Sequence, residues 1–199
     1  MSEQGTPEWL EDRRGRATGS MFSAILAKGE GKTRKSYMVK LAAERLTGEV
    51  GESFSNAHTD RGTEQEPHAR LAYEARTGSL VEQVGFIKHP LLMAGSSPDG
   101  LVDDDGGVEI KCVIPTVQIE TFLKGGVPSS HRAQIQGNMW VCSRQWWDFV
   151  SYSPTLPEHL QLYVYRVFRD EAYIRTLETE VRTFLVELDG LVDSLMRGN

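Results

Sequence analysis

SSPDGLVDDDGGVEIKCV, residues 96–113, carries the pattern from which the rest of the chain is read. Two β-type runs, LLMAGSSPDGLVD and GGVEIKCV, meet at the turn-forming cluster Asp103 to Gly107. Side chains on a strand alternate between faces, so Glu109 and Lys111 project together while Val108, Ile110 and Cys112 point the other way into a core. A reversal near Asp105 would bring Asp99 opposite Lys111 on the neighbouring strand, within cross-strand reach. Two carboxylates and an ammonium then converge.

Carboxylates held close together repel, and each pKa unit of enforced shift corresponds to about 1.4 kcal/mol. Such a cluster needs a cation or a counter-charge to stay ionised. Mg²⁺, a hard ion that prefers oxygen ligands, meets that need, with Mn²⁺ as a substitute. A bound Mg²⁺ can polarise a phosphodiester and lower the pKa of a coordinated water, while Lys111 orients or deprotonates the nucleophile and offsets developing negative charge. Spacing alone fits equally well an ordinary solvated strand face with an ion pair worth about 0–1 kcal/mol.

Outward from this stretch, apolar spacing predicts helices over 19–28, with Ser20 as a possible cap, over 36–46, stopped by Gly48, and over 63–76, stopped by Gly78. Glu66 falls in the first turns of the last of these. VEQVGFIKHP (81–90) joins the two runs above in a predicted meander of strands. Helices are expected over 115–124, 129–142 and 170–196, and strands over 146–152 and 160–168. Helices first, then strands, then both mixed, predict an α/β (mixed α+β) fold with a central mixed sheet flanked by helices.

The 199 residues, 39% of them hydrophobic, suit one domain spanning 1–199. No apolar run of about 18 residues occurs and the first residues are polar, so the expectation is a cytoplasmic protein with neither membrane span nor secretory signal. Cys112 and Cys142 are too few for a disulfide framework or a zinc site and read as buried thiols. A net charge of −6 argues mildly against nucleic acid, but a local basic surface at Arg13, Arg14 and Arg16 can steer DNA despite an acidic total. Trp140, Trp146, Trp147 and Phe149 read as core rather than as a base-stacking platform.

Asp99 followed by Glu109-Ile110-Lys111 resembles the Asp…Glu-x-Lys signature of the restriction-endonuclease-like nucleases. Taken with RGTEQEPHAR (61–70), AQIQGNMWV (133–141) and EWLEDRRGRATGSMFSAILA (8–27), it resembles the phage lambda exonuclease or YqaJ-type viral recombinase family through about Arg169. The resemblance implies a restriction-endonuclease-like core in a single nuclease domain. It implies a Mg²⁺-dependent exonuclease that degrades the 5′-ended strand of duplex DNA to 5′-mononucleotides and leaves a 3′ single strand for an annealing protein, in phage or prophage recombination. A toroidal homotrimer around the DNA, in the cytoplasm of a bacterial host, is also implied.

By the same resemblance Asp99 and Glu109 are the principal metal ligands, with the Ile110 carbonyl a further one. Glu66 is an additional acid, Lys111 the catalytic lysine, and Gln134 a residue that orients water or backbone. Arg13, Ser20 and Ser97 match a pocket for the DNA 5′-phosphate, a role suited to a bidentate cation and hydroxyl donors. Val117 stands where an arginine would complete that pocket. For Glu66 the ordinary alternative is an i,i+4 pair with Arg70, worth about 0.2–0.5 kcal/mol; for Ser20 it is a helix cap. Rival readings of the whole are a same-fold nuclease for single strands or flaps, and a non-catalytic DNA-binding recombination module.

Overall fold

A computed structural model describes residues 4–27, 32–50 and 57–198. In chain order come α1 (Pro7–Arg13), β1 (Ala17–Thr18), a 3₁₀ turn (Gly19–Met21), α2 (Phe22–Leu26), α3 (Lys32–Thr47) and α4 (Ala57–Thr77). Five strands follow, β2 (Val81–Glu82), β3 (Ile87–Lys88), β4 (Ala94–Ser96), β5 (Gly100–Val102) and β6 (Gly106–Cys112). The chain continues through α5 (Pro115–Lys124), α6 (Ser129–Cys142), β7 (Trp146–Tyr152), α7 (Glu158–Gln161), β8 (Leu162–Phe168) and α8 (Glu171–Arg197). The mixed α/β architecture is the one expected.

The principal sheet has the order β2-β5-β6-β7-β8, antiparallel except for β6 beside β7; a second sheet has the order β1-β4-β3. A parallel neighbour requires a crossover, and α5 and α6 supply it. The strands before β6 are therefore not a simple meander. β2 pairs with β5, while β3 and β4 form a hairpin that takes β1 on its far edge. Strands of two or three residues are too short to show an alternation in sequence.

The 19–28 helix is broken into the 3₁₀ turn and α2, neither with a side-chain cap, so of the two roles open to Ser20 it does not fill that of a helix cap. α1 was not anticipated. It starts with Pro7 in its first turn and Thr6 as cap, the Thr6 hydroxyl accepting from the Trp9 amide. Gly48 and Gly78 do end α3 and α4, both with positive φ.

β7 is buried along its whole length because helices cover both faces. On one face Val108, Ile110 and Val150 pack with Ala69 and Tyr73 of α4. On the other, Trp147 and Phe149 pack with Ile135 and Met139 of α6. A further cluster joins α2 and α3 to α8, whose Ile174, Leu177, Val181, Phe184, Leu185 and Leu188 recur at helical spacing. The aromatic cluster of 140–149 is core, as expected. No disulfide joins Cys112 and Cys142, which are half-buried; burial pushes the Cys142 thiol up to about 12. Among the described residues no helix is long and apolar enough to cross a membrane.

The glycines at the start of β6 are fixed by contact. A Cβ on Gly106 would lie 2.0 Å from the Trp146 ring, and one on Gly107 would lie 2.4 Å from the Trp147 ring. Two successive glycines thus seat two successive tryptophans on opposite faces of the sheet. Asp148, between the layers, accepts from the Tyr73 hydroxyl at 2.7 Å and from Nε and Nη2 of Arg166 at 2.8 Å each. Gly190, in contrast, lies exposed inside α8 with nothing within 4 Å of a Cβ. Gly107→Ala is expected to destabilise the fold by about 1–3 kcal/mol through overpacking, and Gly190→Ala to stabilise it by about 0.8–1 kcal/mol through helix propensity. Urea midpoints of the two variants, moving in opposite directions, check both.

Candidate active site

β6 delivers the acidic centre. Glu109 is fully buried, on the face that β6 turns toward α6, and its register partner on β7 is Phe149. Its Oε1 accepts from Lys111 Nζ at 2.5 Å and its Oε2 from Asn138 Nδ2 at 3.1 Å. Glu109 and Lys111 do share a face, but Glu109 is interior, not part of a solvated surface.

Asp99 precedes β5. Gly100 pairs with Val108 and Val102 with Gly106, so the reversal is centred on Asp104 and Asp99 falls in line with Glu109 rather than Lys111. The expected register was two residues off, because Asp103 takes the left-handed conformation, with φ 50°, and closes the turn early. Asp99 Oδ2 accepts from the Ile110 amide at 2.6 Å. Within a strand a residue's N–H and C=O point to the same side, so the Ile110 carbonyl lies on the edge of β6 that Asp99 occupies.

Burial, followed by the charge of Glu109, pushes the Asp99 carboxyl above the usual range; Lys111 and the Ile110 amide pull the other way. Glu66 stands on α4, which packs on the Val108–Ile110 face of the sheet, and its carboxyl lies close enough to feel the charges of Asp99 and Lys111. Burial first, then Asp99, raises the Glu66 carboxyl, against Arg70 and Lys111. Its helix pair with Arg70 also forms, at 3.2 Å. For Lys111 burial alone would favour loss of the proton, but Glu109, Asp99 and Glu66 outweigh it and the ammonium is held above its ordinary range.

The structure thus brings Glu66, Asp99, Glu109 and Lys111 together. The donors available to a metal are all oxygens, the set a hard divalent ion takes. Three acids face Lys111 and Arg70, so the local charge fits one further cation. Among the described residues no three such side chains already stand at metal-holding spacing; Lys111 and the Ile110 amide occupy one oxygen of Glu109 and one of Asp99.

α6 forms the roof. His131 stacks on Phe149 with centroids 5.4 Å apart, and burial, then Lys111, lowers it to about 4. Asn138 lies seven residues on, so Gln134 falls on the same helical face. Gln134 is half-buried with no hydrogen-bond partner among the described residues. Gln136 turns away, its side chain tied to the Phe168 carbonyl and the Asp170 amide. His131 and Asn138 were not singled out from sequence; their helical spacing with Gln134 was the available signal.

A second group adjoins the first. Ser97 Oγ accepts from Arg13 Nη1 and from Trp9 Nε1, both at 3.0 Å, and the Arg13 guanidinium lies 4.2 Å above the Trp9 ring. Burial lowers the pKa of Arg13, with Tyr37 and Glu44 opposing. Ser20 is exposed and shares with Arg13 and Trp9 the wall of a cavity of about 230 Å³. Arg14 is engaged elsewhere, donating to the Gly48 carbonyl and pairing with Glu11. Val117 lines a different cavity, with Glu120 and Lys124.

Among solved structures the chain is similar to LHK-Exo, an alkaline exonuclease from Laribacter hongkongensis. Two crystal structures of it share 42% identity and cover 97% of each chain, with TM-scores of 0.92 for the complex with dAMP and 0.90 for the other. A phage-related exonuclease from Haemophilus somnus 129PT, at 15% identity, shares the fold over 90% of this chain and 96% of its own, with a TM-score of 0.71. No curated protein matches the sequence. The sequence profile of the YqaJ-like viral recombinase domain matches residues 8–145, a span that contains Arg13, Ser20, Glu66, Ser97, Asp99, Glu109, Lys111 and Gln134. The chain belongs to the YqaJ-like viral recombinase family.

Proposed function

We propose that this chain is a single-domain, Mg²⁺-dependent exonuclease that digests duplex DNA from its ends in the 5′-to-3′ direction. It releases 5′-mononucleotides and leaves 3′ single strands that an annealing protein uses in phage-type recombination. The observation that carries this reading is the convergence of Glu66, Asp99 and Glu109 on Lys111 beside the Arg13–Ser97 pair, within a family-matched span. LHK-Exo was solved with dAMP, a 5′-mononucleotide and so of the product class assigned here.

Asp99, Glu109, Glu66 and the Ile110 carbonyl would hold Mg²⁺, which when bound polarises the scissile phosphodiester and lowers the pKa of a coordinated water. Lys111 carries its protons on Nζ beside Glu109 and so acts as a donor and a counter-charge to the negative charge that develops on phosphate oxygens. Gln134, half-buried and without a hydrogen-bond partner among the described residues, would donate to the water or the DNA backbone. Arg13 offers a guanidinium, and Ser97 and Ser20 hydroxyls, to a terminal phosphate.

A ring of three copies around the duplex, working in the host cytoplasm, is consistent with the net charge of −6, since encirclement retains DNA without a strongly basic surface.

On an end-labelled linear duplex with Mg²⁺, the wild type is expected to release mononucleotides from 5′ ends, and Lys111→Ala to lose about 10²–10³-fold in kcat. Products from nicked flaps or single strands alone, or full activity in Lys111→Ala, would refute the assignment. Arg13→Ala is expected to lower kcat/KM about 10- to 100-fold on 5′-phosphorylated ends, as loss of a charge-assisted hydrogen bond implies, while sparing 5′-hydroxyl ends. Light scattering should give three times the chain mass, and a competitor-DNA trap should leave engaged enzyme digesting; a monomer released at each step would contradict the ring.

A further inference from the structure

The metal-centre reading above leaves unexplained why a helix across the sheet presents an asparagine to Glu109. Asn138 has no exposed surface. Its Nδ2 donates to Glu109 Oε2 at 3.1 Å, and its Oδ1 accepts a hydrogen bond from the Ser96 hydroxyl. The order of donors is forced, because a carboxylate only accepts: the amide must turn its nitrogen to Glu109, which leaves its oxygen for Ser96. The chain is also packed to hold this arrangement. A Cβ on Gly19 would lie 2.8 Å from Ser96 Oγ and 2.9 Å from Asn138 Oδ1, so only a glycine there leaves room for the pair.

The consequence for Glu109 is geometric. With Oε2 held by the amide and Oε1 by the ammonium, both ends of the carboxylate are fixed, and Oε1 is directed at Lys111, which also meets the charges of Asp99 and Glu66. Without the amide, Glu109 would keep one donor and the freedom to rotate. We propose that Asn138 is a positioning residue of the nuclease centre: it holds Glu109 by Oε2 so that Oε1 is presented to the divalent metal, with Ser96 fixing the amide's orientation. Groups that orient a metal ligand from behind typically contribute 10–100-fold to metal affinity or activity.

This inference rests on the exonuclease reading, and the test separates the two. Mn²⁺ binding to the DNA-free protein is measured by isothermal titration for the wild type, Asn138→Leu, Asn138→Ser and Ser96→Ala. It is compared with kcat and KM on a linear duplex and with the melting temperature in EDTA. Asn138→Leu, which keeps the bulk and removes the donor, is expected to weaken Mn²⁺ binding about 10- to 100-fold and to lower kcat, with KM for DNA within about twofold. Asn138→Ser, whose hydroxyl can still donate, recovers part of the loss, and Ser96→Ala loses less than Asn138→Leu but in the same direction. Wild-type Mn²⁺ affinity in the Asn138 variants, or a loss confined to KM or melting temperature, overturns the proposal. Should Asn138→Leu fail to fold, unchanged Mn²⁺ affinity in Asn138→Ser and Ser96→Ala overturns it equally. A wild type that binds Mn²⁺ but digests no duplex would sink the exonuclease reading and leave the positioning role standing on the titrations alone.

Discussion

A carboxylate without exposed surface on a central strand is the constraint around which the molecule is arranged. Removing one partner of a buried charge pair typically costs 3–5 kcal/mol, so Glu109 is tolerable only because Lys111 and Asn138 each supply a donor. One donor comes from β6 itself and the other from α6, which makes the crossover helix between two parallel strands part of the site. The neighbouring strand carries a second buried acid, Asp148, on the opposite face, and the contrast is informative. Asp148 is held by Tyr73 and by both arms of Arg166, whose guanidinium is itself seated 3.5 Å over the Trp146 ring. Three hydrogen bonds, one of them from a fully buried hydroxyl, hold both Asp148 oxygens. Of the two donors to Glu109, Asn138 is fully buried, whereas Lys111 holds Oε1 through a single ammonium contact. The same sheet therefore contains two buried carboxylates distinguished by how many hydrogen bonds hold them, three for Asp148 and two for Glu109.

The acids around Glu109 show the cost of such a centre. The folded protein holds the protons of Asp99 and Glu66 more tightly than the unfolded chain does. The stabilisation this brings is complete at low pH and declines as pH rises from the usual carboxylate range through the raised folded values. Near neutrality the site is thus a place where charge repulsion works against folding, the condition in which binding of a cation adds most to stability. Stability given up at a functional site in this way is a general feature of enzymes.

Much of this was legible in the sequence where a local rule applied. The shared face of Glu109 and Lys111 follows from strand alternation, the ends of α3 and α4 from Gly48 and Gly78, and the core role of the tryptophans from the apolar run they sit in. The register of Asp99 was misjudged because nothing local says which of three consecutive aspartates takes positive φ. β1 escaped detection because a strand of two residues has no period and exists only through pairing with residues far along the chain, while β3 and β4 lie in runs read as strands but pair with β1 in a separate sheet. Asn138 was invisible for a related reason: it meets Glu109 across 29 residues and Ser96 across 42. A mid-helix asparagine announces no such partners. The glycines were readable as turn residues but not as seats for Trp146 and Trp147, which also come from a distant strand.

The Arg13 group and the Glu109 group are joined through two adjacent residues. Successive side chains of an extended segment point to opposite sides. At the end of β4, Ser96 is buried and donates to Asn138, while Ser97 accepts from Arg13 and Trp9. One peptide unit therefore separates the hydrogen-bond network around the acids from the one around the guanidinium. On the other side, Gly19 touches the Ser96–Asn138 pair and Ser20 faces the cavity beside Arg13, so a second pair of neighbours makes the same link. A terminal phosphate bound at Arg13 and a scissile phosphate near Glu109 would stand at a separation set by covalent geometry and packing, not by a mobile loop. In an exonuclease that separation determines how many nucleotides leave per cut, and a spacing fixed in this way favours products of one length.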